Sequence, residues 1–295
     1  MARFRYRLFC ILLVIFLLNS SFPGHACTTF IAGNSEHQLF GRNYDWHFSD
    51  AYVMVNKNGV NTKSYPVLTE EEKGHPATWT ARFGSVTFNQ YGREFPQGGM
   101  NETGLVVESM SLRSTKNPDS DSRPYVRTEN LWRQYILDTC ATVREVIDTN
   151  LTIRISYNAS KGIGTHCLVL DRKGEAAVIE FLDGKMVVYT GDSLPVKVLT
   201  NDTYKKALSY WKKGRKPLID RYDSIRRFVT AADLSTNYLP SESGLKPKNA
   251  FAILSAVKSS QTRWSIVYDN INMKVWFMTD ANPRIRSIDV KKLDF

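Results

Sequence analysis

The chain has 295 residues, with 39 basic against 29 acidic side chains and a formal net charge of +10. Its apolar content is ordinary, and it has neither repeats nor low-complexity tracts, which excludes a disordered or fibrous chain. The basic residues are interspersed with acidic ones, and the one short basic stretch, Lys205 to Lys216, lacks aromatics spaced for base stacking, so no nucleic-acid partner is expected.

Residues 1–26 open with Arg3, Arg5 and Arg7, run through an apolar stretch from Leu8 to Leu18, and end in Gly24-His25-Ala26. The stretch is short for a membrane span, and the small residues at 24 and 26 suit a leader peptidase, so a signal peptide is predicted. Residues 27–295 then form a single domain, secreted or periplasmic and without stable membrane insertion. Its net charge is +7, because the leader holds three basic residues and no acidic one. Cleavage after Ala26 makes Cys27 the first residue, joining a thiol nucleophile to an α-amine base of pKa about 8. Two other readings of Cys27 stay open. A lipoprotein also carries a cysteine after its leader, although Gly24 stands where such leaders place a leucine-like residue. A disulfide is the other, since export favours oxidation; but Cys27, Cys140 and Cys167 are odd in number, and at least one lacks an intrachain partner. If Cys140 and Cys167 pair or stay buried, the leftover thiol is Cys27.

After the leader, TTFIAG and QLFGRNYDW read as two strands joined through Gly33-Asn34-Ser35-Glu36. A turn centred near Asn34 or Ser35 places Cys27 opposite Arg42 or Asn43, with Asp45 close by. Strands are expected at ARFGSVTFNQ and LVVESMSL, the second introduced by a glycine-rich turn, GGMNETG. ENLWRQYILDTC has helical spacing, and Thr142 with Glu145 is a capping-box pattern opening TVREVIDT. The period then changes to two. HCLVLDR, AAVIEFL and MVVYTG are separated by the hairpin signals Lys173-Gly174 and Asp183-Gly184, and the meander is read on through VKVLTN to Asn201. TYKKALSYWKK and SIRRFVTAADL read as helices, and RWSIVYD and MKVWFMTD as strands flanking Asn270-Ile271-Asn272. This order predicts an α+β fold with helices covering antiparallel sheets.

A thiol beside its own amine suits attack on an amide carbonyl, since the amine takes the thiol proton and returns it to the leaving group. An arginine favours thiolate and a carboxylate orients the amine, which Arg42 and Asp45 supply unless they form only a structural ion pair. Asn201 offers a side-chain amide for an oxyanion, or serves as a turn and helix-cap residue. Trp46, Phe48, Tyr44 and Met110 line an apolar acyl pocket or belong to the core. The histidines outside the leader, His37, His47, His75 and His166, are too dispersed for a zinc site, and His166 sits in a strand pattern that suits a core role.

The segments CTTF, FGRNYDW, GGMNETGL and VLTNDTY, with RRF further on, resemble in order the choloylglycine hydrolase family of N-terminal-nucleophile hydrolases, which contains conjugated bile salt hydrolases and penicillin V acylases. The resemblance covers nearly all of the chain after the leader. It implies a four-layer αββα sandwich of antiparallel sheets and hydrolysis of a small-molecule, non-peptide linear amide through an acyl-enzyme. It further implies Cys27 as nucleophile, Arg42 and Asp45 as its charged partners, Asn201 as oxyanion amide and Arg227 as a second arginine, with Arg226 as an adjacent competitor. No metal or organic cofactor is implied. Ser111 stands where relatives carry asparagine or tyrosine, which is tolerable if the backbone N–H makes the oxyanion contact; Ser111, Trp46 and Met110 are the substrate-contact candidates. Asn201 and Arg227 are closer in sequence than in the bile salt hydrolases, where an extended hairpin between them helps build a tetramer; oligomerisation is left open. A non-catalytic exported binding protein or a lipoprotein with the same fold is the alternative.

Overall fold

The computed structural model describes residues 27–34, 36–67, 74–156, 164–214, 223–237 and 246–295. The predicted signal peptide and most of the segment between Lys212 and Arg226 lie outside them.

In chain order the strands are β1 (Thr28–Gly33), β2 (Gln38–Asp45), β3 (Tyr52–Asn56), β4 (Asn61–Lys63), β5 (Thr78–Thr80), β6 (Ser85–Asn89), β7 (Pro96–Asn101), β8 (Val106–Leu112) and β9 (Tyr125–Val126). Helices α1 (Glu129–Thr139) and α2 (Val143–Thr152) lead to β10 (Arg154–Ile155), β11 (Gly164–Leu170), β12 (Ala176–Leu182), β13 (Lys185–Thr190) and β14 (Val198–Leu199). Helices α3 (Tyr204–Lys212), α4 (Asp223–Thr236) and α5 (Pro247–Ala256) precede β15 (Thr262–Asp269), β16 (Lys274–Thr279) and β17 (Arg286–Asp289). Two antiparallel sheets dominate, one ordered β14-β1-β2-β15-β16-β17 and the other β13-β12-β11-β8-β7-β6-β3. Helices α4 and α5 pack on β1, β2 and β15, and α1 packs on β7 and β8, so the layers run helix, sheet, sheet, helix.

Local signals account for several of these elements. Asp183 (φ 51°) and Gly184 (φ 76°) both take the left-handed conformation that a two-residue hairpin turn needs between β12 and β13. The Thr142 hydroxyl accepts from Glu145 N at 3.2 Å and the Glu145 carboxylate accepts from Thr142 N at 3.0 Å, completing the expected capping box of α2. Phe30, Phe40, Phe88, Met100, Val178 and Ile266, all buried, belong to one large core shared by both sheets. Burying each such side chain contributes about 1.5–3 kcal/mol.

Three expectations change. Gly98 and Gly99 lie inside β7 rather than in the turn, which is confined to Asn101–Gly104. Any Cβ at Gly98 would run into the Glu108 carboxylate, and one at Gly99 into the Val86 carbonyl oxygen, so glycine is required by close approach rather than by a bend. Second, the meander ends at β13. After a 3₁₀ turn at Gly191–Ser193 the chain crosses to the other sheet, where β14 pairs with β1. Third, α5 follows α4 in a stretch where no helix was expected.

Candidate active site

Asn34 fixes the first hairpin: its Oδ1 accepts from Glu36 N at 3.1 Å and His37 N at 2.9 Å, while its own N–H donates to His37 O at 2.9 Å. Gly33 therefore pairs with Gln38. Thr28 pairs with Asn43 and Thr29 with Arg42, so one step back Cys27 lies across from Tyr44. This corrects the expected pairing with Arg42 or Asn43, because the Asn34 side chain shifts the turn centre toward the C-terminal side. Arg42, two residues before Tyr44, still shares the face of Cys27, whereas Asp45 belongs to the opposite face.

Cys27 is buried, and it, Cys140 and Cys167 are all free thiols. Arg42, also buried, places Nη2 3.9 Å from the Cys27 sulfur and donates through Nη1 to the Glu108 carboxylate. Glu108 reaches across from β8 in the facing sheet, and its other oxygen accepts from the Tyr268 hydroxyl at 2.5 Å. Burial pushes the Cys27 thiol up and Arg42 opposes that rise, while the nearby Asp45 charge adds to it. Burial also raises the Asp45 carboxyl. Its Oδ2 accepts from the Ser259 hydroxyl at 2.9 Å, and Oδ1 has no hydrogen-bond partner among the described residues. The Cys27 thiol lies 3.9 Å from the Asp45 backbone carbonyl.

Arg227 arrives from α4. It donates through Nη1 to the Cys27 carbonyl oxygen and the Thr28 hydroxyl, both at 2.6 Å, through Nη2 to Asn201 Oδ1 at 3.1 Å, and through Nε to Asp223 Oδ2 at 2.6 Å. Arg226 faces solvent on the same helix and pairs only with Asp223 among the contacts described for it, so the geometry selects Arg227 over its neighbour. With its oxygen held by Arg227, the Asn201 amide turns Nδ2 toward Ser111, whose carbonyl oxygen it reaches at 3.0 Å. The β14–β1 pairing carries Asn201 to the site, and the Ser224 hydroxyl accepts its backbone N–H at 2.9 Å.

His166 has a structural place behind Asn201, in keeping with the core role expected. Its Nε2 meets the Thr200 carbonyl at 2.6 Å and its Nδ1 meets Glu180 Oε1 at 2.9 Å; the carbonyl can only accept, so Nε2 carries a hydrogen. Glu180 Oε1 also accepts from Tyr204 N at 2.8 Å, joining this pair to the start of α3.

Of the apolar candidates, Tyr44 and Met110 are buried, Trp46 is half-buried and Phe48 is 60% exposed. Tyr44 stacks on Trp264 with ring centres 4.2 Å apart. Trp46 lies 6.1 Å from Tyr44 and donates to the Tyr91 hydroxyl, and Tyr91 in turn meets Phe95 edge-on at 6.3 Å. Sequence reasoning missed Glu108, Tyr268, Ser259 and the Tyr91–Phe95 pair. Glu108 alone carried a signal, as a charged residue inside the apolar strand pattern LVVESMSL.

The model of the linear amide C–N hydrolases, choloylglycine hydrolase family, matches residues 27–215, beginning at Cys27 itself. The chain belongs to this family. It is accordingly a hydrolase of carbon–nitrogen bonds in linear amides, with the N-terminal-nucleophile hydrolase fold. The penicillin V acylase of Pectobacterium atrosepticum is 25% identical over 97% of this chain and 86% of its own length. Among solved structures, penicillin V acylase from Agrobacterium tumefaciens superposes with a TM-score of 0.72 at 27% identity, covering 91% of this chain and 87% of that one. The conjugated bile acid hydrolase of Clostridium perfringens shares the fold at 18% identity, with a TM-score of 0.70 over 91% of this chain and 93% of its own.

Proposed function

We propose that the protein is exported, loses residues 1–26, and hydrolyses linear amides with Cys27 as an N-terminal nucleophile. The observation that carries this reading is the convergence on one residue, Cys27, of Arg42 Nη2 at its sulfur and Arg227 Nη1 at its carbonyl, beside the Asn201 amide.

Once freed, the α-amine accepts the thiol proton as the sulfur attacks the amide carbon; a C–S bond forms and the carbonyl electrons move to oxygen. The second hydrogen of Asn201 Nδ2 stabilises that oxyanion, and Arg227 fixes the amide so that nitrogen rather than oxygen faces it. The C–N bond then breaks, and the α-ammonium returns the proton to the leaving amine. Water attacks the thioester, the α-amine takes the water proton, and collapse releases the carboxylic acid and restores the thiol. Asp45, with an acceptor oxygen to spare, holds the ammonium form between these transfers.

The substrate class that best fits is an amide with an aromatic acyl group, such as the phenoxyacetyl amide of penicillin V. The support is twofold: the penicillin V acylases are the relatives at 25% and 27% identity, and Trp46, Tyr91 and Phe95 form an aromatic cluster beginning one residue after Asp45. A panel of penicillin V, a glycine-conjugated bile salt and an acyl homoserine lactone tests it. Preference for penicillin V, abolished by Cys27→Ala, is expected; preference for the bile salt would replace the aromatic reading, and turnover retained in Cys27→Ala would overturn the nucleophile. A diacylglyceryl mass on Cys27 would make the protein a lipoprotein instead.

A further inference from the structure

Arg42 carries a full charge into a buried position, where a guanidinium needs a counter-charge; its Nη1 also donates to the Gln97 carbonyl at 3.4 Å, while its Nε has no hydrogen-bond partner among the described residues. Glu108 supplies that counter-charge from the facing sheet. Three residues far apart in sequence prepare the position. Gly98, paired with Glu108 between β7 and β8, leaves the space that its carboxylate fills. Tyr268 of β15 donates to one oxygen, and Arg42 of β2 donates to the other. The guanidinium is thereby held with one terminal nitrogen on Glu108 and the other 3.9 Å from the Cys27 sulfur.

We infer that Glu108 is a positioning residue of this site, which aims Arg42 at Cys27 and cancels most of the arginine charge that the sulfur would otherwise feel. The inference rests on the reading of Cys27 as nucleophile. Its consequence is that Cys27 rests as a thiol and gives its proton to its own amine during attack, instead of standing as a free thiolate paired with Arg42. The charged and titratable groups around the sulfur are Arg42, Tyr44 and Asp45 of β2 and Arg227 of α4; Glu108, Tyr268 and the buried Arg133 of α1 act on it through Arg42 and Tyr44. Of these, Glu108 is the carboxylate in contact with Arg42. Burial raises the Glu108 carboxyl, and Arg42 and the Tyr268 hydroxyl oppose that rise.

The test is the pH dependence of iodoacetamide alkylation of Cys27, read on the Cys27 peptide by mass spectrometry so that Cys140 and Cys167 do not contribute. In Glu108→Gln the midpoint is expected to fall by about two pH units, the size of a unit charge roughly 6 Å away at an effective dielectric near 20. In Arg42→Gln it rises. An unchanged or raised midpoint in Glu108→Gln, with thermal unfolding intact, would overturn the inference. Should Glu108→Gln fail to fold, Glu108→Asp keeps the charge and shortens the reach. It is expected to leave the midpoint at the wild-type value and lower kcat about tenfold at unchanged KM; a raised KM with kcat intact would overturn the inference. Cys27→Ala, run alongside, separates the two claims, because retained amide turnover there removes the nucleophile itself whatever Glu108 does.

Discussion

Arg227 donates to the carbonyl oxygen of Cys27 at 2.6 Å from a position 200 residues further along the chain. The same guanidinium holds the Asn201 side-chain oxygen at 3.1 Å and the Asp223 carboxylate at 2.6 Å. One planar fork thus ties the start of β1, the loop after β14 and the first turn of α4 into a single rigid group. A lysine, with a point charge on a flexible stem, cannot reproduce three such directions.

Arg227→Lys is therefore expected to lower kcat about 100-fold through the loosened Asn201 amide. Arg226→Ala, on the exposed side of the same helix, is expected to leave kcat and KM unchanged. Steady-state kinetics on the two variants distinguish the arginines; equal losses would show that the helix, not the contact, matters.

Asn201→Ala removes the proposed oxyanion donor while leaving Arg227 paired with Asp223. The expected loss is about 10²–10³ in kcat with a much smaller change in KM, because the contact forms with the tetrahedral oxyanion and not with the ground-state amide. A rise in KM alone would assign Asn201 to substrate binding.

Gly98→Ala sets a methyl group against the buried Glu108 carboxylate. Destabilisation by about 1–3 kcal/mol is expected from the overpacking, measured as a lower urea midpoint. Unchanged stability would mean that the carboxylate has room to move, and would weaken its role in fixing Arg42.

Asp138, at the end of α1, accepts from Trp79 Nε1 and Gln134 Nε2, both at 2.7 Å, and burial pushes its carboxyl from 3.8 up to about 6. Between those values the folded chain holds a proton that the unfolded chain has released. This group's contribution is fully present below about pH 4 and is lost as pH rises to 6, a decline of about 2–3 kcal/mol. Urea unfolding at pH 4 and pH 6.5 should show the wild type losing about 2–3 kcal/mol more than Asp138→Asn over that range; parallel curves for the two proteins would contradict it.

Sheets and helices with local grammar were legible in the sequence. The Asp183-Gly184 turn, the Thr142–Glu145 capping box and the alternation of β11 to β13 are set by residues a few positions apart. What was not legible depends on distant neighbours. The two residues of β14 read as a continuing meander, since nothing local shows that their partner is β1. Gly98-Gly99 read as a turn because only the folded sheets reveal which atoms occupy the space of their missing side chains. The hairpin register slipped by one or two residues because a single side chain, Asn34, decides the turn. In the site, Cys27, Arg42 and Asp45 stood out by spacing and resemblance, and Asn201 and Arg227 by resemblance. Glu108 and Tyr268 did not, because their link to Arg42 crosses between the two sheets.

In the proposed mechanism Cys27, freed by removal of residues 1–26, carries the acyl group. Intact-mass spectrometry of the exported protein, mixed with penicillin V and quenched in acid within the first turnovers, tests it most directly. A chain beginning at Cys27, with an added phenoxyacetyl mass that maps to Cys27, is expected. Penicillin V hydrolysis by a chain that keeps residues before Cys27, or an acyl group on any other residue, would contradict it.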